Sequence, residues 1–241
     1  MKVIIKGIKN PEWVNKFFPG ESILTLKICN KPLIEYYLDL VYYLGINEVL
    51  ITSPCYNKDL HDYVARELEW GFKIRYEQSA EEESINQLKE RYSSFFDGSA
   101  ILYILDAVFV YYDLKNKSFK NFLDFNRDQI ISRDSNDSRF FCRDISSIYS
   151  FYRLSVSIIQ KYSDSYNLLG YEHIDDTCLV GKGVVLQDQN SIGDKVHLGN
   201  WVFVSKNSFL GEGTIVGNNA VIEDGVEVRE SIIYQNAVIG Q

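Results

Sequence analysis

Residues 174–241 read IDDTCLVGKGVVLQDQNSIGDKVHLGNWVFVSKNSFLGEGTIVGNNAVIEDGVEVRESIIYQNAVIGQ, and an aliphatic side chain returns at every sixth position for most of that length. The series is Ile174, Val180, Leu186, Ile192, Leu198, Val204, Leu210, Val216, Ile222 and Val228; the step then shortens to five at Ile233 and returns to six at Ile239. A glycine follows the aliphatic residue at 181, 193, 199, 211, 217 and 240, where a bulky side chain would obstruct a tight corner. Four places on stand Cys178, Val184, Val196, Val202, Ser208, Thr214, Ala220 and Val226, all small or valine. Two inward positions per six residues, on short strands joined by turns, make a rung that buries its apolar face only when stacked on another rung. The segment is therefore one small unit repeated about eleven times.

This ladder resembles the left-handed parallel β-helix of hexapeptide-repeat proteins, in which three hexads close one triangular coil. The resemblance implies coils at 174–191, 192–209 and 210–227, with a partial coil to the end. The sequence stops just after Ile239-Gly240 without a polar cap. An uncapped solenoid end exposes strand edges and apolar rungs. The expectation is a homo-oligomer whose neighbouring subunit covers that end, or a longer native chain.

The rest of the composition bounds the function. At 241 residues, 46% of them hydrophobic, there is material for one large domain or two modest ones. A formal charge of −8, with no basic run to neutralise phosphates, argues against nucleic acid as a partner. Cys29, Cys55, Cys142 and Cys178 are scattered with no C-x-x-C pair, as expected of free thiols in a reducing compartment. The longest apolar run, 101–112, is interrupted by Asp106 and is too short for a bilayer. Lysines run through the apolar start, which is unlike a signal peptide. A soluble cytoplasmic protein with no membrane partner is expected.

Ahead of the ladder the pattern changes. Residues 2–6 read as a strand ending at Gly7, followed by a loop punctuated by Pro11, Pro19 and Gly20. Asn30 suits an N-cap, Pro32 a first turn and Gly45 a left-handed C-terminal cap. Between them Leu33, Ile34, Tyr37, Leu38, Val41 and Leu44 recur at helical spacing. A strand at 48–52, a helix at 56–70 and a strand at 72–76 follow, the order of a parallel, helix-covered sheet. Residues 79–96 read as a helix opening on Glu81 to Glu83, acidic residues that suit a first turn. Residues 100–105 form a strand that delivers Asp106 at its end, where open parallel sheets hold their ligands. Residues 113–139 are polar and poorly periodic. Asp144 then caps a second helix over 148–162. The division expected is an α/β domain over 1–170 and the ladder domain over 171–241.

The stretches Asn30-Lys31-Pro32-Leu33-Ile34-Glu35-Tyr36 and Leu44-Gly45-Ile46-Asn47-Glu48-Val49-Leu50-Ile51 resemble the opening of sugar-1-phosphate nucleotidyltransferases, whose catalytic domain is a Rossmann-like parallel sheet. Residues 101–110 are similar to the family strand whose terminal aspartate binds the catalytic metal, which implies that role for Asp106. Residues 143–153 resemble the segment that supplies a second metal-ligating aspartate, here Asp144. Many members carry a hexapeptide β-helix behind the catalytic domain, so the two-part layout agrees. The resemblance also implies Mg²⁺, a nucleotide or sugar phosphate as ligand, Lys31 as a phosphate contact and Gly7 at the phosphate cradle.

Several family features are missing. The glycine-rich Gly-x-Gly-Thr-Arg loop is replaced by Gly7-Ile-Lys-Asn-Pro-Glu-Trp13, with one glycine and no arginine. Ser22 and Ile23 stand where the family has Pro-Lys; a shifted register would bring Lys27 there instead, and Lys6 and Lys9 are further substitute charges. The Gly-Thr-Ala loop gives way to the glutamates near 79–84. Only 37 residues separate Asp106 from Asp144, too few for the family's sugar lobe. Phosphoryl transfer depends on positioning and on neutralising negative charge. The expectation is therefore a degenerate relative acting as a binding or scaffold subunit. An active Mg²⁺-dependent nucleotidyltransferase is one alternative. The other is a hexapeptide acyltransferase using an outward-facing His197 as general base.

Overall fold

The computed structural model describes residues 1–65, 70–80, 83–111, 126–134, 141–162, 171–174, 177–188 and 191–240. Sequence readings that fall on 66–69, 81–82, 112–125 and 135–140 lie outside the described residues. The chain divides into one unit of Met1–Leu26 and Pro32–Ile148 and a second of Lys27–Lys31 and Tyr149–Gln241. All but the first residue of the helix at 148–162 thus goes with the ladder, the division falling after Ile148, whereas the sequence reading put it at 170/171.

In the first unit, β1 (Lys2–Lys6), β4 (Glu48–Ser53), β5 (Lys73–Gln78), β6 (Ile101–Ile104) and β8 (Gln129–Ile131) form one sheet in the order β5-β4-β1-β6-β8. Every pairing in it is parallel, with Ile4 opposite both Leu50 and Tyr103. Parallel strands covered on both faces read as near-continuous apolar runs, and Val3, Ile4, Ile5, Val49, Leu50 and Ile51 are all buried. On one face Ile4, Leu50, Ile101 and Tyr103 meet Leu88, Tyr92 and Phe95. These come from α4 (Ile85–Arg91) and the turn after it. Ser84 and Gln87 close a capping box at the start of α4, so Glu83 precedes the helix instead of lying in its first turn. Helix α1 (Glu12–Phe17) and helix α3 (Lys58–Val64) complete the connections. Asn57 caps α3 by accepting from Leu60 N.

Helix α2 (Leu33–Leu44) ends as its sequence directs, on Gly45 in the left-handed region at φ 69°. Its start does not. Pro32 is the cap residue, and Asn30 instead sits at a hairpin tip between β2 (Lys27–Ile28) and β3 (Lys31–Pro32). Both tip residues, Cys29 at φ 51° and Asn30 at φ 62°, are left-handed, which is what a tight two-residue turn between right-twisted strands requires. A further antiparallel pair, β7 (Phe109–Tyr111) with β9 (Phe141–Arg143), follows β6.

After the hairpin residues, the second unit resumes within α5 (Ile148–Tyr162). After the short β10 (Glu172–His173) come ten two-residue strands, β11 (Leu179–Val180) to β20 (Val238–Ile239). Leu179 lies opposite His197, which lies opposite Ile215, so one turn of the chain consumes 18 residues, or three hexads. The same offset joins Val185 to Phe203 and Phe209 to Glu227. The interior holds the residues the spacing nominated, including Cys178, Val196, Leu198, Val202, Val204, Leu210, Val216, Ala220, Ile222 and Val226. Ile174 is an exception. It is 57% exposed because β10 runs antiparallel to β11 and does not start a regular turn.

At the corners a side chain would be obstructed, as the sequence suggests. The glycines at 181 and 199 are not left-handed; a Cβ on Gly199 would lie 2.5 Å from Asn218 Oδ1 and 2.6 Å from its N, so the next turn's backbone excludes side chains there. The left-handed residues fall two places later in the hexad, at Gly183, Lys195, Trp201, Asn207, Gly213, Asn219 and Gly225, then at Glu230 and Asn236. The five-residue step from Gly225 to Glu230 coincides with the shortened aliphatic step. Ile215 accordingly pairs with Ile232, 17 residues on, and the sheet continues.

Candidate functional site

Strand order fixes where a ligand can enter the first unit. From β1 the chain goes outward to β4 and β5, then returns to the other side of β1 to lay down β6 and β8. Such a reversal leaves a crevice outside the carboxyl ends of the two strands that flank it. Gly7 follows β1 and Asp106 follows β6, so the two sequence-nominated positions stand on either side of that reversal.

Gly7 is held for a packing reason. Its N–H donates to Thr52 O at 2.6 Å, and a Cβ on it would lie 2.8 Å from that same oxygen. The segment it opens, 7–10, has a single glycine and no arginine and leads through Pro11 into α1. Nearby, at the carboxyl ends of β4 and β5, the hydroxyls of Thr52 and Ser79 are buried without a hydrogen-bond partner. Glu83 is 4% exposed; its Oε1 pairs with Arg91 Nε at 3.0 Å while Oε2 is unpartnered. Sequence reasoning missed the two hydroxyls, because an isolated Thr or Ser at a strand end carries no pattern, and read Glu83 as a first-turn acid.

Asp106 and Ala107 are both left-handed, at φ 64° and 47°, a conformation that costs a non-glycine residue and turns the chain sharply. Leu105 N donates to Ile131 O at 2.8 Å, which sets residues 131–133 beside this turn. Arg133 N then donates to Asp106 Oδ2 at 3.2 Å. The same residue's Nε lies 3.3 Å from Asp144 Oδ1. Asp144 follows β9, four residues before α5 begins, and serves this ion pair instead of capping the helix. Behind the turn, Tyr37 of α2 donates its hydroxyl to Val108 O. Burial raises the Tyr37 phenol well above its usual range, with the nearby Cys142 and Asp106 adding to the effect. Burial also pushes the Cys142 thiol up to about 11.

Both aspartates thus contact one residue by different groups: Asp106 accepts from the main-chain N–H of Arg133, and Asp144 pairs with its guanidinium, which the sequence gave no reason to nominate. Magnesium demands near-octahedral oxygen ligation at about 2.0–2.1 Å. Two carboxylates, one of them already paired with a fixed cation, do not fit it as they stand. Among the described residues no group of three or more His, Cys, Asp or Glu could hold a metal.

Two of the nominated lysines lie in the second unit. Lys27 and Lys31 belong to the hairpin assigned to the second unit. Lys27 Nζ donates to Gln235 Oε1, Asn30 Nδ2 donates to Val216 O at 2.9 Å, and Lys31 is 5% exposed. A cleft of ≈370 Å³ opens in the first unit between Glu48, Lys73, Arg75 and Phe95, at the amino ends of β4 and β5.

His197 is not on the surface. It stands in the outer column with Leu179 and Ile215, yet it is fully buried, with the Tyr171 ring against it at 4.6 Å between centroids. Neither ring nitrogen has a partner, and burial lowers its pKa from 6.5 to about 3. A base that substrate cannot reach and that has no proton relay does not fit acyl transfer.

No family model and no curated protein sequence matches the chain. Among solved structures, UDP-glucose pyrophosphorylase complexed with UDP-glucose is similar over 46% of this chain and 47% of its own, at 16% identity and a TM-score of 0.36. The chain thus spans about half the length of that structure, and a likeness at this score carries no argument on its own. No described helix is long and apolar enough to cross a membrane.

Proposed function

We propose that this chain is a sugar-1-phosphate nucleotidyltransferase-like protein that keeps a ligand crevice and lacks the phosphate cradle, acting as a binding or scaffold subunit. The observation that carries this reading is the reversal of strand order between β1 and β6, with Gly7 on one side and the Asp106–Arg133–Asp144 cluster on the other. The segment after β1, with one glycine and no arginine over residues 7–13, lacks the glycine-rich motif that would hold a triphosphate.

On this reading the second unit is a left-handed parallel β-helix, supported by its three-hexad turn, and it mediates homo-oligomer formation. Its outer column Val185, Phe203, Val221 and Val238 is apolar, with Val185 50% and Val238 62% exposed. Calorimetric titration with UDP-glucose, alongside pyrophosphate release from UTP and glucose 1-phosphate with Mg²⁺, tests the functional assignment. Binding without turnover is expected. Turnover abolished by Asp106→Asn would replace the degenerate reading with the active one.

A further inference from the structure

Five residues leave one unit of this protein and complete the other. Lys27–Lys31 group with the second unit, while Leu26 before them and Pro32 after them belong to the first. Three of their side chains reach three separate segments of that second unit. Lys27 Nζ donates to Gln235 Oε1, Cys29 Sγ donates to Ser155 O at 3.1 Å, and Asn30 Nδ2 donates to Val216 O at 2.9 Å. Cys29 is 1% exposed and Ser155 is fully buried, so the hairpin tip is enclosed. Its backbone is demanding as well. Cys29 and Asn30 are both left-handed without being glycine, a state that surrounding contacts must hold.

These contacts gather at one place in the ladder. Val216 closes β16 (Ile215–Val216) and Gln235 follows β19 (Ile232–Ile233), the two strands that pair across the five-residue step. From α5, Tyr152 donates its hydroxyl to Glu230 O at 2.7 Å, inside that step. Val216 O already accepts from Gly199 N at 2.7 Å. A carbonyl has two lone pairs, so Asn30 joins it without breaking the bond between turns. The hairpin thus holds α5 through Cys29 and the ladder through Lys27 and Asn30.

We propose that the hairpin is a clasp: it fastens α5 to the ladder across the five-residue step, and the order of the turns around that step depends on it. Two-residue strands contribute few bonds each, so a ladder is held by the sum of its neighbour contacts. Where the repeat is broken, the clasp supplies bonds from outside the ladder. The second unit is therefore not encoded by residues 149–241 alone; it takes five residues from ahead of α2.

Hydrogen exchange read by mass spectrometry on the full chain tests this, with circular dichroism verifying the fold of each variant. Asn30→Gly keeps the left-handed tip and removes the donor to Val216 O. Lys27→Met removes the donor to Gln235 and keeps an unbranched stem. Together they are expected to speed exchange about tenfold or more in peptides covering 149–159 and 228–240, because two bonds are lost from one cooperative unit. The peptides of β1 and β4 are expected to exchange as in the wild type. Asn30→Asp also suits the left-handed position but presents only acceptors to Val216 O, so it is expected to act as Asn30→Gly does. Should the double variant fail to fold, the single variants give the same reading at smaller amplitude. Wild-type exchange rates over 149–159 and 228–240 in Asn30→Gly and Asn30→Asp would overturn the proposal. Acceleration confined to residues 27–31, or spread equally over β1 and β4, would overturn it too.

Discussion

His197→Leu should stabilise this protein and flatten its response to acid. The histidine is fully buried between Leu179 and Ile215 with both ring nitrogens unpartnered, and its pKa is lowered from 6.5 to about 3. Because the folded value lies below the unfolded one, the unfolded chain takes up the proton first. Stability present above about pH 6.5 is therefore lost as pH falls toward about 3. With those two values the loss at pH 5 is about 2 kcal/mol, and at pH 7 it is only a few tenths. Leucine in the same column as Leu179 and Ile215 removes the titration and relieves two unsatisfied buried nitrogens, each group of that kind costing about 1–3 kcal/mol. Urea unfolding followed by circular dichroism at pH 7 and pH 5, on wild type and variant, measures both effects. The expected result is a more stable variant at pH 7 and a gap that widens by about 2 kcal/mol at pH 5. A variant less stable at pH 7, or two proteins losing stability in parallel, would refute the reasoning.

Two further outcomes follow from the second unit. Gly199→Ala should destabilise by about 1–3 kcal/mol, because the new methyl would sit 2.5–2.8 Å from Asn218 and Gly217 and the neighbouring turn must shift; an unchanged urea midpoint would count against the close-approach account. Val185→Lys combined with Val238→Lys should leave the fold intact while lowering the assembly mass in sedimentation, since both side chains are at least half exposed. A wild type that sediments as a monomer at high concentration would remove the assembly reading.

The regular parts of this molecule were legible because their side chains repeat. The aliphatic ladder from Val180 onward names its own interior, and the β-α-β order names the parallel sheet. Pattern reading failed where one residue type supports two local structures. Asn30 ahead of Pro32 suits both a helix cap and the left-handed tip of a hairpin, and only the non-local bond to Val216 O distinguishes them. Asp144 before a helix reads as a cap, yet Arg133 draws it away. His197 sits at an outward hexad position yet is buried, and the ring packed against it, Tyr171, lies 26 residues earlier in the chain and carries no periodic signal. The Arg133–Asp144 ion pair was not legible, because Arg133 lies in a polar stretch without periodicity.

The five-residue step between Gly225 and Glu230 has a bearing on how this chain can be altered. One residue is absent relative to the hexad, yet the next strands still pair, Ile215 with Ile232 and Val221 with Val238. The left-handed corner residue moves with the deletion, from the expected 231 to Glu230, at φ 44°. A change of length is therefore absorbed wholly between strands, without inverting which side chains face inward beyond it. Corners of this kind are where the ladder can gain or lose residues, and where a foreign loop could be grafted while the turns on either side stay in step.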